Sequence, residues 1–343
     1  MKKISVVILN WNGLGMLQKF LPKVVEYSAS QDVEVCVADN ASTDDSCVWV
    51  ENNFSEVRLV KLDKNYGFAD GYNKALQQVE AEYVVLLNSD VEVTPHWLEP
   101  LVEYLDAHPE VAACQPKIRS ERNKSFFEYA GAAGGYLDKY GYPFCRGRIF
   151  DVVEEDKGQY DTIQPIFWAT GAALFIRLKI YRETGGLDGC FFAHMEEIDL
   201  CWRLRSRGLS IVCIPQSTVF HVGAATLKKE NPRKTFLNFR NNLLMLYKNL
   251  PEKELKRVMF VRGVLDGVAA LVFLLKGEKE AARAVLQARK EFKCIRPDFE
   301  ASRAENLEKT VSDVISERVD YSILWKYHAG RKKVFSSLPA LNK

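Results

Sequence analysis

Four short apolar runs lie near the start of the chain, at residues 4–9, 33–38, 57–62 and 83–87, and each gives way to a polar cluster. Their β-branched and aromatic content predicts buried strands. Between them, residues 14–27, 44–53 and 68–79 repeat apolar positions at helical spacing. Ser42-x-x-Asp45 has the form of a capping box with Asp in place of Glu, and Thr94-Pro95 predicts a further helix start. Strand alternating with helix predicts βαβ units and a mostly parallel sheet with right-handed crossovers. Ligands of such sheets bind beyond the carboxyl ends of the strands. Those ends carry "NWNG", "DNASTDDS", "NYGFADG" and "NSD".

From residue 116 to about 164 the periodicity fades, and the stretch includes "EYAGAAGGYLDKYGYPF". A loop that long is expected to act as a lid or substrate wall. "FWATGAALFIR" and "LSIVCIPQSTVFHVG" return to strand patterns, with "EEIDLCWRLRSRG" between them as a helix. From residue 231 onward the pattern is helical. The expected organisation is a catalytic domain over 1–226, with a nucleotide-binding half to about 115 and an acceptor half from 116, then a basic helical region over 227–343. Within the latter, "VMFVRGVLDGVAALVFLL" at 258–275 is interrupted by Arg262 and Asp266. Its uninterrupted part, 267–275, is far short of the roughly 20 residues that span a bilayer. The favoured expectation is a core helix with its apolar face on the catalytic domain. An interfacial helix is the other reading, since Lys253, Lys256, Arg257, Lys276 and Lys279 flank the run and suit an anionic leaflet.

Apolar residues make up 47% of the 343 positions and charged residues 27%, the balance of an ordinary globular protein. The net charge of +2 conceals an asymmetry: from Thr226 onward there are 25 Lys+Arg against 14 Asp+Glu, or +11, which leaves −9 for the rest. Such a tail suits a membrane surface, a phosphate-bearing substrate or simply a solvated helical face. Nucleic acid is excluded for want of any recognisable module. Eight cysteines without a C-x-x-C pair point to a reducing compartment rather than a disulfide or zinc framework. The first apolar run is too short for a signal peptide, so a cytoplasmic protein is expected.

The residues suited to chemistry stand at element ends. Asp39 ends the second strand, Asp90 the fourth, Glu196 and Glu197 open a helix, and His221 closes a late strand. A carboxylate with an imidazole suits Mg²⁺ or Mn²⁺ shared with substrate phosphates. Like-charge repulsion between adjacent acids raises the pKa of Glu197 towards that of a general base. Each type also has an ordinary use: Asp in turns, Glu at a helix N-terminus, His as a structural residue. Neither G-x-G-x-x-G nor a Walker A loop follows the first strand. A sugar-nucleotide-forming nucleotidyltransferase needs a basic Gly-rich loop there, whereas no Lys or Arg occurs between the first strand and Lys19. A non-catalytic nucleotide-sugar-binding protein needs the pocket without the base. "FRNNLLMLYK" places Arg240 and Asn241 soon after His221, with Arg240 either reaching a donor diphosphate or forming an ion pair.

"SVVILNWNG", "VADNASTDDS", "NYGFADGYN", "LLNSDVEV", "ATGAALFIR", "GGLDGCFFAHMEEIDLCWRLRSRG" and "VFHVGAAT" together resemble the family 2 glycosyltransferases of the GT-A fold, in particular the bacterial rhamnosyltransferase-like branch. The resemblance covers residues 4 to about 226. It implies an α/β fold whose mixed, mostly parallel sheet is flanked by helices. It also implies an inverting transfer of a sugar, with rhamnose suggested by the branch, from a dTDP- or UDP-linked donor. The acceptor would be a glycan or lipid-linked glycan in cell-surface polysaccharide synthesis, reached at the inner face of the membrane. Asp39 would meet the ring N–H of the base, with Asn10, Trp11, Asn12, Asn65, Gly67 and Phe68 lining the nucleotide pocket. Asn88-Ser89-Asp90 stands at the family's D-x-D motif with Asn first, which leaves Asp90 as the ionic metal ligand and His221 as the second. Glu197 stands at the catalytic Asp of an "ED" pair, with Glu196 as substitute. Trp168, Thr170 and Gly171 would shape the acceptor or donor-sugar pocket. Asp199 and Arg203, one turn apart, would pair as scaffolding.

Overall fold

The computed structural model describes residues 1–223 and 231–339. The chain begins β1 (Lys2–Asn10), α1 (Leu14–Tyr27), β2 (Val33–Asp39), α2 (Ser46–Asn53), β3 (Arg58–Lys61), α3 (Gly67–Gln77), β4 (Ala81–Asn88), β5 (Val91–Val93), α4 (Glu99–Ala107) and β6 (Val111–Ser120). Then come β7 (Gly135–Leu137), β8 (Pro143–Cys145), β9 (Arg148–Ile149), β10 (Val152–Val153), β11 (Gln164–Pro165), β12 (Ala173–Arg177), α5 (Leu178–Glu183), α6 (Glu196–Ser206) and β13 (Ser210–His221). Five helices follow: α7 (Pro232–Asn249), α8 (Glu252–Leu275), α9 (Lys279–Ile295), α10 (Glu300–Glu308) and α11 (Ile323–His328).

The main sheet runs β11-β13-β6-β12-β4-β1-β2-β3, with β5 on the edge of β13. β1 pairs in parallel with both β2 and β4, and β2 with β3, as the βαβ pattern requires. β12 enters antiparallel between β4 and β6. Burial on both faces explains the apolar runs. In β4, Val84 and Leu86 face one core while Tyr83, Val85 and Leu87 face the other, and all five are fully buried. The parallel strands therefore deliver Asn10, Asp39 and Asn88 to one edge of the sheet.

Several sequence expectations change. The Ser42–Asp45 capping box does not form: α2 starts at Ser46, and Ser42 Oγ instead accepts from Asn10 Nδ2 (3.1 Å) and the amide of Asn12 (2.9 Å). Thr94-Pro95 precedes α4 by several residues, and Thr94 Oγ1 donates to the carbonyl of Thr218 (2.7 Å). The supposed long loop after residue 116 is largely structured. β6 runs on to Ser120, and β7–β10 form a four-stranded antiparallel sheet whose strands are only two or three residues long, too short to show a period.

The segments after residue 231 share the main core. Leu243, Leu244, Phe292 and Ile323 belong to the same buried cluster as Val84 and Leu86. The expected 226/227 boundary lies outside the described residues. The chain later returns to the small sheet, where Val319 donates to Leu137 O (2.8 Å) and Ile323 to Asp138 Oδ2 (2.9 Å). α7 is fixed to α6 through Asp199, which has no exposed surface. Its carboxylate accepts from Arg203 Nε (3.0 Å), Lys248 Nζ (2.8 Å) and Asn249 Nδ2 (2.8 Å). The Asp199–Arg203 pair is thus scaffolding.

The apolar-inward expectation for α8 is overturned. Its buried face centres on a charge pair, with Arg262 1% exposed and Asp266 fully buried between Val258 and Ala270. Arg262 bridges to Asp266 (3.1 Å), to the carbonyl of Tyr140 (3.0 Å) and to Asn242, while Arg289 of α9 holds the other Asp266 oxygen (2.5 Å). Spacing of four residues puts both charges on one face, and each is neutralised by the other. Phe260, Val264, Val268, Leu271, Val272, Leu274 and Leu275 are thereby left exposed.

Removing one partner from a buried charge cluster leaves another charge uncompensated, at a cost of about 3 kcal/mol. Lys248→Met should lower unfolding free energy by about that amount in denaturant titration, with Asp199→Asn at least as damaging.

Candidate active site

β1 ends on Asn10, whose Nδ2 donates to Asp39 Oδ1 at the end of β2 (3.0 Å). The other Asp39 oxygen accepts the amide of Ser42 (2.9 Å). Asp39 and Asn10 are buried, whereas the Trp11 side chain stands half exposed beside them. Asn12 adopts a left-handed backbone (φ 50°), and its Oδ1 accepts the amide of Thr43 (2.7 Å), tying the first polar loop to the second. Asn40, which the sequence reading passed over, is the next tie. Its Nδ2 donates to Asn65 Oδ1 (3.1 Å) and Gly67 O (2.9 Å), and its Oδ1 accepts the amide of Tyr66. Adjacency to Asp39 was the only available signal. Asn10, Asn12, Asp39, Asn65 and Gly67 are therefore one connected cluster. Ser89 joins it, since a Cβ at Gly13 would lie 3.7 Å from Ser89 Oγ and only 2.4 Å from Asn10 Oδ1.

Asp90 and His221 converge from the ends of β4 and β13. Asp90 Oδ1 lies 3.1 Å from His221 Nε2, with Asn88 Nδ2 3.4 Å from the same nitrogen. On the other side His221 Nδ1 faces Glu128 Oε2 at 3.3 Å. Glu128 lies in the stretch where sequence periodicity failed, so no signal announced it. Gly223 is required here: at φ 66° its missing Cβ would fall 2.5 Å from Glu128 Oε1. Burial alone would depress the His221 pKa, but hydrogen bonds to Asp90 and Glu128 outweigh it and push it up to about 10. Burial likewise works to raise the Asp90 pKa, and the bond from His221 overcomes it, leaving that carboxyl below its usual range.

Asp90 and His221 would offer a divalent ion two points of attachment once the imidazole gives up a proton, which the charge of the ion itself favours. Glu128 fixes the imidazole through Nδ1 and leaves Nε2 aimed at Asp90, the arrangement in which an outer carboxylate orients a metal-binding histidine. Among the described residues no group of three or more His, Cys, Asp or Glu could enclose a metal. The remaining ligands must then be substrate oxygens and water, as Mg²⁺ and Mn²⁺ accept.

The Glu196–Glu197 pair opens α6 after a strained approach. Phe192, His194 and Met195 all have left-handed backbones (φ 64°, 71° and 74°), uncommon for residues with side chains and concentrated next to the two acids. α7 holds this segment in place. Asn241 Nδ2 lies within 2.9 Å of the carbonyls of Phe191, Ala193 and His194, and Arg240 donates to those of Cys190 and Phe191 while pairing with Glu291 (2.8 Å). Arg240 thus forms the ion pair. The same segment meets the nucleotide cluster, because the amide of Phe68 donates to Phe192 O (2.9 Å) and the Phe192 ring occupies the space of a Cβ on Gly67.

Burial raises Glu197 to about 7, against the pull of backbone N–H groups at the helix mouth. Glu196 is more deeply buried, and burial together with Glu197 lifts it well above its usual value. One oxygen of each carboxylate has no hydrogen-bond partner. Gly171 lies against this pair, with Phe68 and Glu197 bordering the position of its absent Cβ. Ala172 O accepts the amide of Asn88 (3.0 Å), which connects Gly171 to the Asp90 end of β4. Thr170 is buried, its amide donating to Gln115 Oε1 (2.9 Å). Trp168 is only 3% exposed: its indole N–H donates to Tyr136 O (3.0 Å) and its ring fills the space over Gly135. Packing has claimed the face that a sugar would need, so Trp168 belongs to the core.

A mixed, mostly parallel sheet with this strand order and flanking helices is a GT-A-type fold. The pattern of glycosyl transferase family 2 matches residues 5–173, and the chain belongs to that family. Among curated relatives, the N-acetylglucosaminyl-diphospho-decaprenol L-rhamnosyltransferase of Mycobacterium tuberculosis is 24% identical over 232 residues, covering 64% of this chain and 75% of that protein. Similar folds include GalNAc-T7, crystallised with UDP, GalNAc and Mn²⁺ (TM-score 0.57, 15% identity, 74% of this chain and 49% of that one). S. aureus TarS 1-349 in complex with UDP is another (TM-score 0.54, 16% identity, 90% of this chain and 88% of that one). The protein is a glycosyltransferase of the family 2 type.

Loss of a hydrogen-bond donor to buried carbonyls costs about 1–3 kcal/mol. Asn241→Ala should therefore speed amide exchange across residues 192–195 by about tenfold or more, with exchange in β1 and β4 unchanged.

Proposed function

We propose that the protein transfers a sugar with inversion from a nucleoside diphosphate to a hydroxyl of a glycan or lipid-linked glycan. The work would take place on the cytoplasmic side of a membrane, in polysaccharide synthesis. The observation that supports this reading is the convergence of Asp90 and His221 from two strand ends, together with the different electrostatic setting of Glu197 at the mouth of α6. Asp90, facing His221, stays ionised, whereas Glu197 sits near neutrality and can exchange a proton at working pH. That division gives one acid the role of ligand and the other the role of base.

Asn10, Trp11, Asn12, Asp39, Asn65, Gly67 and Phe68 hold the nucleoside. Asp39 already accepts from Asn10 and Ser42, so its orientation towards a base N–H is set in advance. Asp90 and His221, with Asn88 and Ser89 beside them, hold Mg²⁺ or Mn²⁺. That ion, when bound, neutralises charge on the departing diphosphate. Glu197 takes the proton of the acceptor hydroxyl as its oxygen bonds to the anomeric carbon, and the bond from that carbon to the diphosphate oxygen breaks. Glu196, more deeply buried and with its pKa lifted well above the usual by burial and by Glu197, is the less suited of the pair. The solved Mn²⁺ complex of GalNAc-T7 and the rhamnosyl transfer named for the mycobacterial relative support the metal and rhamnose as the first donor sugar to test.

Glu197→Gln should lower turnover by about 10²–10⁴ while donor affinity, read by thermal shift, holds. In the native enzyme Glu197 must be ionised to act. Its raised pKa therefore predicts that kcat/KM falls about tenfold per unit as pH drops below about 7, a limb that Glu196→Gln should retain. Near-normal turnover by Glu197→Gln removes the assignment.

A panel of dTDP- and UDP-sugars with and without Mn²⁺ tests the ion and the donor together. Asp90→Ala should abolish the extra stabilisation that Mn²⁺ gives to donor binding and leave the metal-free shift intact. An equal Mn²⁺ response in wild type and variant would sink the two-point site.

A further inference from the structure

We infer that the outer face of α8 is a membrane-docking surface that seats the enzyme on an anionic lipid leaflet. α8 is long and apolar enough to cross a bilayer by length and composition alone, and it is mostly uncovered. It cannot cross, because Arg262 and Asp266 are locked into the catalytic body by Tyr140, Asn242 and Arg289. Its free face nevertheless carries no exposed charge between Phe260 and Leu275. Phe260, Val264, Val268, Leu271 and Leu275, spaced by three or four residues, form one stripe, with Phe260 74% and Leu275 79% exposed. An uninterrupted apolar stripe backed by a polar anchored face is the pattern of a helix lying in the plane of a membrane interface.

The charges at its ends select the occupant. Lys256 and Arg257 precede the stripe, and Lys276 and Lys279 follow it, all exposed. Of the nearby acids, Glu252 pairs with Arg303 and Glu254 with Arg318, while Glu278 and Glu280 stand exposed beside Lys276 and Lys279 and leave the two ends basic on balance. A second copy of the chain is the rival occupant, since this spacing also suits a helix pair. Parallel pairing would set Arg257 on Arg257 and Lys276 on Lys276, and antiparallel pairing would set Arg257 near Lys276. Either arrangement brings like charges together, whereas an anionic leaflet neutralises all four. The stripe supplies apolar area and the basic ends supply attraction, the two contributions that a lasting peripheral contact needs.

The inference goes beyond the proposed reaction and stands without it, because its test reads no turnover. The intact protein is floated with vesicles of phosphatidylcholine alone or of phosphatidylcholine mixed with phosphatidylglycerol. The wild type should float with the mixed vesicles and at least about tenfold less with the neutral ones. The triple variant Phe260→Ser, Leu271→Ser, Leu275→Ser should stay with the lipid-free fraction at an unchanged melting temperature, since all three side chains are solvent-facing. Arg257→Glu, Lys276→Glu, Lys279→Glu should lose the preference for anionic vesicles, a readout independent of the apolar variant. Wild type that stays with the lipid-free fraction, or apolar and charge variants that float as it does, overturns the inference. So does a wild-type dimer in sedimentation velocity that the apolar variant converts to monomer.

Discussion

Asp199 is a carboxylate with no access to water, and the placement of α6 depends on how its charge is met. Burial alone would force it towards protonation, but Lys248 and Arg203 outweigh that and hold it below the usual carboxylate range. Those partners come from different parts of the chain. Arg203 lies one turn along α6 and also donates to the carbonyls of Thr184 and Gly186; Lys248 lies on α7 and reaches Asp188 as well. Asn249, bonded to Asp199, is itself held by Asn306 of α10. An unpaired charge at that depth would cost several kcal/mol, so these segments lock together around it. The cluster sets the axis of α6, and with it the positions of Glu196 and Glu197 at its mouth.

The same economy of charge divides the site. Asp90 and His221 face each other with Glu128 behind, and that short alternation of acid, imidazole and acid keeps the end of β4 ionised. Glu197 is raised to about 7 by burial, against the pull of backbone N–H groups at the mouth of α6. The carboxylate after β4 and the one at the mouth of α6 are thus driven apart by their environments. The strained segment 192–195 lies between the two settings and touches both α3 and α7. Such backbone persists only where its surroundings over-determine it, which Asn241 and Arg240 achieve through five carbonyl contacts.

The helices after residue 231 therefore serve two surfaces at once. Inward, α7 fastens the approach to Glu196 and Glu197. Outward, α8 presents an apolar stripe whose exposure follows from the burial of Arg262 and Asp266 rather than from any deficiency of packing. The return of the chain to β7 closes this layer over the small sheet.

Much of the first half was legible in the sequence, because parallel strands buried on both faces leave continuous apolar runs and the loops at their ends leave polar ones. The run at 83–87 falls within β4, and Asp39, Asp90 and His221 stand at strand ends as their patterns indicate. Tertiary structure alone decided the rest. Glu128 reaches His221 from a segment with no period. Trp168, polar enough in sequence to meet a sugar, is consumed by packing against Gly135. α8 shows the limit most clearly: spacing of four residues revealed that Arg262 and Asp266 share a face, but not which way that face turns. The direction was set by Tyr140, Asn242 and Arg289, brought to the same place from three separate parts of the chain, and a linear pattern carries periodicity without carrying the partners that choose between its two sides.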